Sequence, residues 1–419
     1  MEFELTSDQK EAYRAFLAFM LDQEEDEFVL TGFAGTGKTT LVNKLLSELE
    51  KILKTINLTA PKGEEVRYKA TYLTATTNKA AEQLRTTVGS TVSTIHSLLG
   101  LKVVKNYKKN ETHLEANGEV IHDAIIFIDE ASYIDMQLLR MIRENTVDCK
   151  IIYIGDPAQL APVGYTRTPV FELDVPTAQL EEVVRQAKDN PIQDLATALR
   201  EVVRGADYPV LTLCTHVRSV SGEEWYHEIQ KEFLQPDWHH GTSRILAWRN
   251  KSVIHYNRFI NKHKHGTAEL CEGDYVVNNN YVTGPGGAFL RTDQETQIEK
   301  IEPAQMVYTI NGISYVVDGF KVKTIDGLQA FMPGDFDDKR EMMKIARKNQ
   351  AWNVCRALDQ WVDLRHAYAS TVFKAQGSTF DRVFIDLPDI DGCNQANTVA
   401  RMLYVAVTRA RYEVIIKEA

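Results

Sequence analysis

The sequence predicts an α/β protein: two stretches of alternating strand and helix, interrupted by a small all-β segment. Three observations carry this expectation. Short apolar runs at Phe28–Thr31 and Ile125–Ile128 have the length and composition of buried parallel strands, and Leu41, Leu45 and Leu46 follow the first run with helical spacing. A second strand-then-helix pattern begins at "RILAWRNKSVIHYNRFINK", Arg244 to Lys262. From about 265 to 335, Glu272-Gly273-Asp274, Gly284-Pro285-Gly286-Gly287, Asn311-Gly312, Asp318-Gly319 and Asp326-Gly327 punctuate short strands with turns. A chain of 419 residues is expected to form two or more domains.

Composition narrows the class. Hydrophobic residues make up 44% and charged residues 25%, which is ordinary for a soluble globular protein. No apolar run is long enough to span a bilayer, and "MEFELTSDQK" lacks the basic and apolar regions of a secretory signal. The five cysteines are scattered without a C-x-x-C, against a disulfide framework or a zinc site and in favour of a reducing, cytoplasmic interior. His239-His240 and His263/His265 lack ligand partners at metal-binding spacing and read as surface polar residues. The net charge of −10 counts mildly against a nucleic-acid binder. Local basic clusters nevertheless exist at Lys102, Lys105, Lys108 and Lys109, and at Arg244, Arg249, Lys251, Arg258, Lys262 and Lys264. Each of these, taken singly, is equally a solvated face.

The first strand leads into Gly32-x-x-x-x-Gly37-Lys38-Thr39, a complete phosphate-loop pattern between a strand and a helix. Glycines let backbone N–H groups close around a β-phosphate, which makes Gly32, Ala34, Gly35, Thr36, Gly37, Lys38, Thr39 and Thr40 the candidate nucleotide-binding set. The Lys38 ammonium would neutralise β and γ oxygens, and the Thr39 hydroxyl would bind Mg²⁺. The next apolar strand ends in Asp129-Glu130. At the carboxyl end of a parallel strand these lie beside the phosphates, with Asp129 in the Mg²⁺ shell and Glu130 polarising a water. That pair points to ATP hydrolysis rather than to a kinase. A third strand ends in Gly155-Asp156, and the Gln159 amide follows at a distance suited to a γ-phosphate. Asp156-Pro157 alone is also explained as a turn.

These segments resemble the superfamily 1 helicases, most closely the Dda-like and RecD-like group of superfamily 1B. "GFAGTGKTT" resembles motif I, "IDEAS" motif II, "GDPAQLAPV" motif III, "LEEVVRQ" (180–186) motif IV, "STVFKAQGSTFDRV" (370–383) motif V and "YVAVTRAR" motif VI. The resemblance implies that Gln9 reads adenine, that Arg185 and Arg409 reach the γ-phosphate, and that the Gly377 backbone also contacts the nucleotide. It implies single-stranded DNA contacts from Thr77, Asn78 and Lys79 in "TATTNKAAEQL", from His96 in "STIHSLLG", and from Thr371 and Lys374. Thr76 stands where relatives often carry proline. Two bland readings remain beside these: Thr6-x-x-Gln9 is also a capping box, and His96 is equally a helix-cap or core histidine.

The implied architecture is two RecA-like P-loop domains: 1–178, then 179–264 together with 367–419. "LKVVKNY", "KKNE" and "THLEANGEV" read as a basic β-hairpin, and within about 99–122 the family places a duplex-splitting pin; a plain surface hairpin fits the residues equally. Residues 265–366 combine an all-β module, similar to the SH3-like insertion of the family, with a helical stretch from 336 to about 366. On that stretch Trp352, Cys355, Leu358 and Val362 share a face. The implied activity is an ATP- and Mg²⁺-dependent DNA helicase that moves 5′ to 3′ on single-stranded DNA and opens forked duplex DNA. The implied setting is DNA replication or recombination, with a single-strand-binding protein or replisome component as a further partner. An RNA-directed translocase and an ATP-gated single-strand clamp are the alternatives.

Overall fold

The computed structural model describes residues 4–59, 68–89, 91–109, 111–182 and 190–418. The chain divides into two compact units: 1–102, 114–210 and 395–408 form the first, and 103–113, 211–394 and 409–419 the second.

In the first unit, the helix Ser7–Leu21 starts at a capping box. Thr6 Oγ1 accepts from the Gln9 N–H at 3.3 Å, and Gln9 Oε1 accepts from the Thr6 N–H at 3.2 Å. Ala12, Phe16, Phe19 and Met20 are buried, as their spacing predicts. One parallel sheet runs in the order Thr177–Leu180, Glu27–Gly32, Lys150–Gly155, Ala124–Asp129, Ala70–Ala75, Val92–Thr94. Such a sheet is covered on both faces, so successive side chains of one strand enter different cores. Ile125 and Phe127 pack with Phe16 and Leu41, whereas Ile126 and Ile128 pack with Leu138 and Ile142. This strand order brings Gly32, Gly155 and Asp129 to the carboxyl ends of three adjacent strands, where α/β sheets bind ligands.

The second unit holds a parallel sheet and an antiparallel one. The parallel order is Val217–Val220, Ala410–Lys417, Phe380–Ile385, Ser243–Ala247, Ala369–Thr371. The helices Gly222–Phe233 and Asn250–His265 cover it through Trp225, Phe233, Tyr256, Tyr368 and Phe384. The antiparallel order is Gln329–Pro333, Ile313–Thr324, Glu295–Ile310, Tyr275–Asn278, Leu364–His366. Asn311-Gly312 is the expected two-residue turn: both residues are left-handed, φ 50° and 79°, and Ile310 pairs with Ile313.

The helical expectation for 336–366 holds over Phe336–Lys348 and Trp352–Asp359 and fails beyond. Leu364–His366 is a strand because Tyr275–Asn278 offers it an antiparallel partner. Val362 accordingly packs with the sheet and not with Cys355 and Leu358. The expected hairpin forms from Leu101–Asn106 and Glu111–Ala116. Its middle belongs to the second unit, where Lys105 Nζ, at 2.8 Å, and the Tyr107 hydroxyl both donate to the Asp359 carboxylate.

Candidate nucleotide site and strand-contact segments

The phosphate loop is shaped by its own small residues. Gly35 and Gly37 are left-handed, φ 86° and 78°, a conformation that glycine adopts without penalty. Gly32 is constrained differently: a Cβ there would lie 2.7 Å from Thr36 Oγ1 and 3.1 Å from Lys38 Cγ. Lys38 Nζ donates to the Gly32 carbonyl at 2.6 Å and the Phe33 carbonyl at 3.0 Å. Other residues of the unit brace the loop. Gln9 Nε2 donates to the Thr36 carbonyl at 3.2 Å, Gln193 Nε2 to the Ala34 carbonyl at 3.3 Å, and the Ala34 N–H to the Tyr404 hydroxyl at 3.0 Å.

Thr39 and Asp129 line one narrow crevice together with Val42, Leu73, Leu84 and Ile154. Burial pushes the Asp129 carboxyl above its usual range, opposed by the Glu130 N–H at 2.9 Å and by the charge of Lys38. Glu130 is left-handed, φ 53°, which costs a residue with a Cβ about 1–2 kcal/mol. Two bonds hold that strained turn: Thr76 N–H donates to the Asp129 carbonyl at 3.2 Å, and Thr76 Oγ1 to the Glu130 carbonyl at 2.9 Å. The turn reading of Asp156 is realised, with Oδ1 accepting from the Ala158 N–H at 2.9 Å; its Oδ2 also accepts from the Tyr404 hydroxyl at 2.6 Å. Gln159 is buried, and Arg401 Nη1 donates to its carbonyl and to that of Pro157 at 2.5 and 2.6 Å.

The remaining nucleotide candidates lie in the second unit or elsewhere. Gly377 is left-handed, φ 76°, and Arg409, buried, donates from Nη1 to the neighbouring Ser378 carbonyl at 3.1 Å. Arg185 lies outside the described residues.

Similarity to known proteins follows the same division. Residues 4–209 match the AAA domain family, and residues 366–416 match the UvrD-like helicase C-terminal domain. The ATP-dependent DNA helicase dda of Enterobacteria phage T4 is 26% identical over 98% of both chains. The ATP-dependent RecD2 DNA helicase of Deinococcus radiodurans is 33% identical over 41% of this chain and 21% of its own length. A solved structure of two coordinating Pif1 helicases at forked double-stranded DNA is 17% identical, with a TM-score of 0.50 over 100% of this chain and 92% of that one, a likeness of fold. The chain is thus similar to DNA helicases along nearly its whole length, with a UvrD-like helicase C-terminal match near its end. It is a helicase-type ATP hydrolase.

The strand-contact candidates of this helicase-like chain share one local device. Thr77 caps the helix Asn78–Val88, its Oγ1 accepting from the Ala80 N–H at 3.1 Å, with Asn78 exposed and Lys79 half-buried beside it. Thr371, 8% exposed, caps Val372–Ala375 by accepting from the Lys374 N–H at 3.3 Å. His96 is not a cap; Thr94 fills that place, accepting from the Ser97 N–H at 3.1 Å. His96 is half-buried, and burial holds its imidazole below the usual range, against the charge of Asp135. Lys374 does not stand alone: its Nζ lies 2.9 Å from Asp293 Oδ1 and also donates to Asn279 Oδ1.

Three bracing residues escaped the sequence reading. Thr76 stands in the sequence only as a departure from relatives, Tyr404 only as the first residue of motif VI, and Arg401 in none of the motifs. The last two stand one helical turn apart on Ala396–Thr408. Polar groups on so apolar a helix were the available signal.

Proposed function

We propose that this protein is an ATP-dependent DNA helicase that moves 5′ to 3′ along a single strand and unwinds duplex DNA. One observation carries the reading. Thr39 and Asp129 share a crevice, with Lys38 and Glu130 beside them in the chain, in a protein similar over 98% of its length to an ATP-dependent DNA helicase.

Each residue then has a task. Lys38 neutralises phosphate oxygens, while Glu130 and Gln159 orient the attacking water and the γ-phosphate. Thr39 and Asp129 would hold Mg²⁺, whose charge offsets that developing between the β and γ oxygens. The buried Gln9 side chain forms the capping box and the Thr36 bond, and its adenine contact is carried over from the resemblance. Arg185, Gly377 and Arg409 are carried over from the resemblance as the further nucleotide contacts, and ATP binding and hydrolysis would then act as a two-state switch on the strand grip. Thr77, Asn78, Lys79 and His96 hold the strand from one half, and Thr371 and Lys374 from the other. The hairpin within 99–122 acts as the pin, and the β-sheet of 265–366 as an SH3-like support. Polarity is carried over from the superfamily 1B group.

Duplexes with a 5′ or a 3′ single-stranded tail test the reading. With ATP and Mg²⁺, strand displacement is expected on the 5′-tailed substrate alone. Failure on both with ATP turnover intact would favour a clamp. Stronger stimulation of turnover by RNA than by DNA would favour an RNA-directed motor.

A further inference from the structure

The cation assigned to the strand in the second unit is already engaged by the β-module. Lys374 sits on Val372–Ala375, directly after the edge strand of the parallel sheet. Its two partners come from two different turns of the antiparallel sheet. Asn279 follows Tyr275–Asn278 and is fixed by its N–H to the Asp363 carbonyl at 2.9 Å and its Nδ2 to Asp363 Oδ1 at 3.1 Å. Asp293 precedes Glu295–Ile310 in a turn closed by its own N–H to the Asn278 carbonyl at 2.7 Å and by the Arg291 N–H to Gln294 Oε1 at 2.9 Å. Asp293 is left-handed, φ 59°, so the backbone accepts a penalty to hold the carboxylate in this turn.

We propose that Asp293, seconded by Asn279, is an internal competitor for the strand's phosphate at Lys374. The inference rests on the reading of Lys374 as a strand contact. An empty grip has its cation neutralised by the module. An arriving phosphate must displace a carboxylate, and a departing strand is replaced by one. The pair suits exchange. Its side chains keep 40% and 44% of their exposure, and ion pairs this open change an equilibrium only about two- to fivefold. That is too weak to block a phosphate and strong enough to set strand affinity. The β-module thereby acquires a role in the grip-and-release cycle without touching nucleotide.

The test is binding of a labelled oligothymidylate at low salt, without nucleotide, by the full chain and by Asp293→Asn, Lys374→Ala and the double variant. Asparagine keeps the shape and tolerates the left-handed turn, and thermal unfolding of each variant checks that the fold is kept. The competitor predicts about two- to fivefold tighter binding by Asp293→Asn, weaker binding by Lys374→Ala, and no tightening by Asp293→Asn once Lys374 is gone. Unchanged affinity of Asp293→Asn, with Lys374→Ala weakened, overturns the competitor and leaves the strand reading standing. Equal tightening with and without Lys374 overturns it as a general charge effect. Normal affinity of Lys374→Ala removes the strand reading, and the competitor with it.

Discussion

The edge of each parallel sheet carries the same short construction. Ser93-Thr94-Ile95-His96-Ser97-Leu98-Leu99-Gly100 in the first unit corresponds to Ser370-Thr371-Val372-Phe373-Lys374-Ala375-Gln376-Gly377 in the second. In both, a three-residue edge strand ends in a threonine that caps a four-residue helix, and a left-handed glycine follows, φ 60° at Gly100 and 76° at Gly377. The electrostatics differ. At the position of Lys374 the first unit has exposed Ser97, and its only titratable group there, His96, is pushed by burial toward the neutral form. One backbone device thus presents hydrogen-bonding groups in one half and a cation with its own counter-acid in the other. The halves need not hold a strand by the same force, and variants can separate them.

The largest effect is expected at the two cations proposed for the phosphates, each of which rests on backbone carbonyls at or beside a glycine. Lys38 rests on Gly32 and Phe33, and Arg409 on Ser378. An arginine at a transferring phosphoryl group is worth about 10³ to 10⁵ in rate. Arg409→Ala is expected to lower ATP turnover by at least about 10³-fold while nucleotide binding, measured by a fluorescent analogue, persists. Near-normal turnover would break the correspondence at its functional end. Next comes the glycine pair. A Cβ on Gly100 would be 2.7 Å from Gly118 N and 2.8 Å from Gly118 Cα, in addition to the left-handed φ. Gly100→Ala should cost about 2–5 kcal/mol in denaturant unfolding, combining backbone strain with a clash that flexible side chains cannot relieve. Gly377→Ala carries the left-handed term, about 1–2 kcal/mol.

The nucleotide half of this construction was legible in the sequence and the correspondence was not. A phosphate loop needs particular residues at fixed spacing, because backbone amides must face phosphate, and Gly32 to Thr40 show them directly. The Asn311-Gly312 turn was legible for the same reason, since few residues accept two consecutive left-handed positions. The edge device shares only Ser-Thr and Gly, too little to register as a repeat. The bracing by Tyr404, Arg401 and Thr76 is long-range: Tyr404 meets Asp156 across 248 positions, and no local pattern encodes which strand end a helix will face. The strand at Leu364–His366 was missed because its sequence is compatible with helix and only its partner decides.

A smaller effect separates the two grips by salt. Each phosphate neutralised on a single strand adds about 0.7 to the slope of log affinity against log salt. Lys374→Ala should flatten that slope by about this amount, whereas Ser97→Ala should leave it alone. Equal slopes in the two variants would mean that the charge difference between the edges is not used.

The smallest effect concerns His96 and is read by pH. Burial lowers its folded pKa below the ordinary value of about 6.5, so on acidification the unfolded chain takes up the proton first. Stability is therefore unaffected by this group at pH 8, and is lost as pH falls from about 6.5 toward the lowered folded value. Over one pH unit a single proton accounts for at most about 1.4 kcal/mol. His96→Gln should show a smaller drop in unfolding free energy between pH 8 and pH 5.5 than the parent chain, by that amount or less. Subtracting the parent's curve removes the other histidines, buried His366 among them. A drop identical in the two proteins would place the His96 ring in a water-like setting, and the first unit's edge would then be able to carry charge, as Lys374 does in the second.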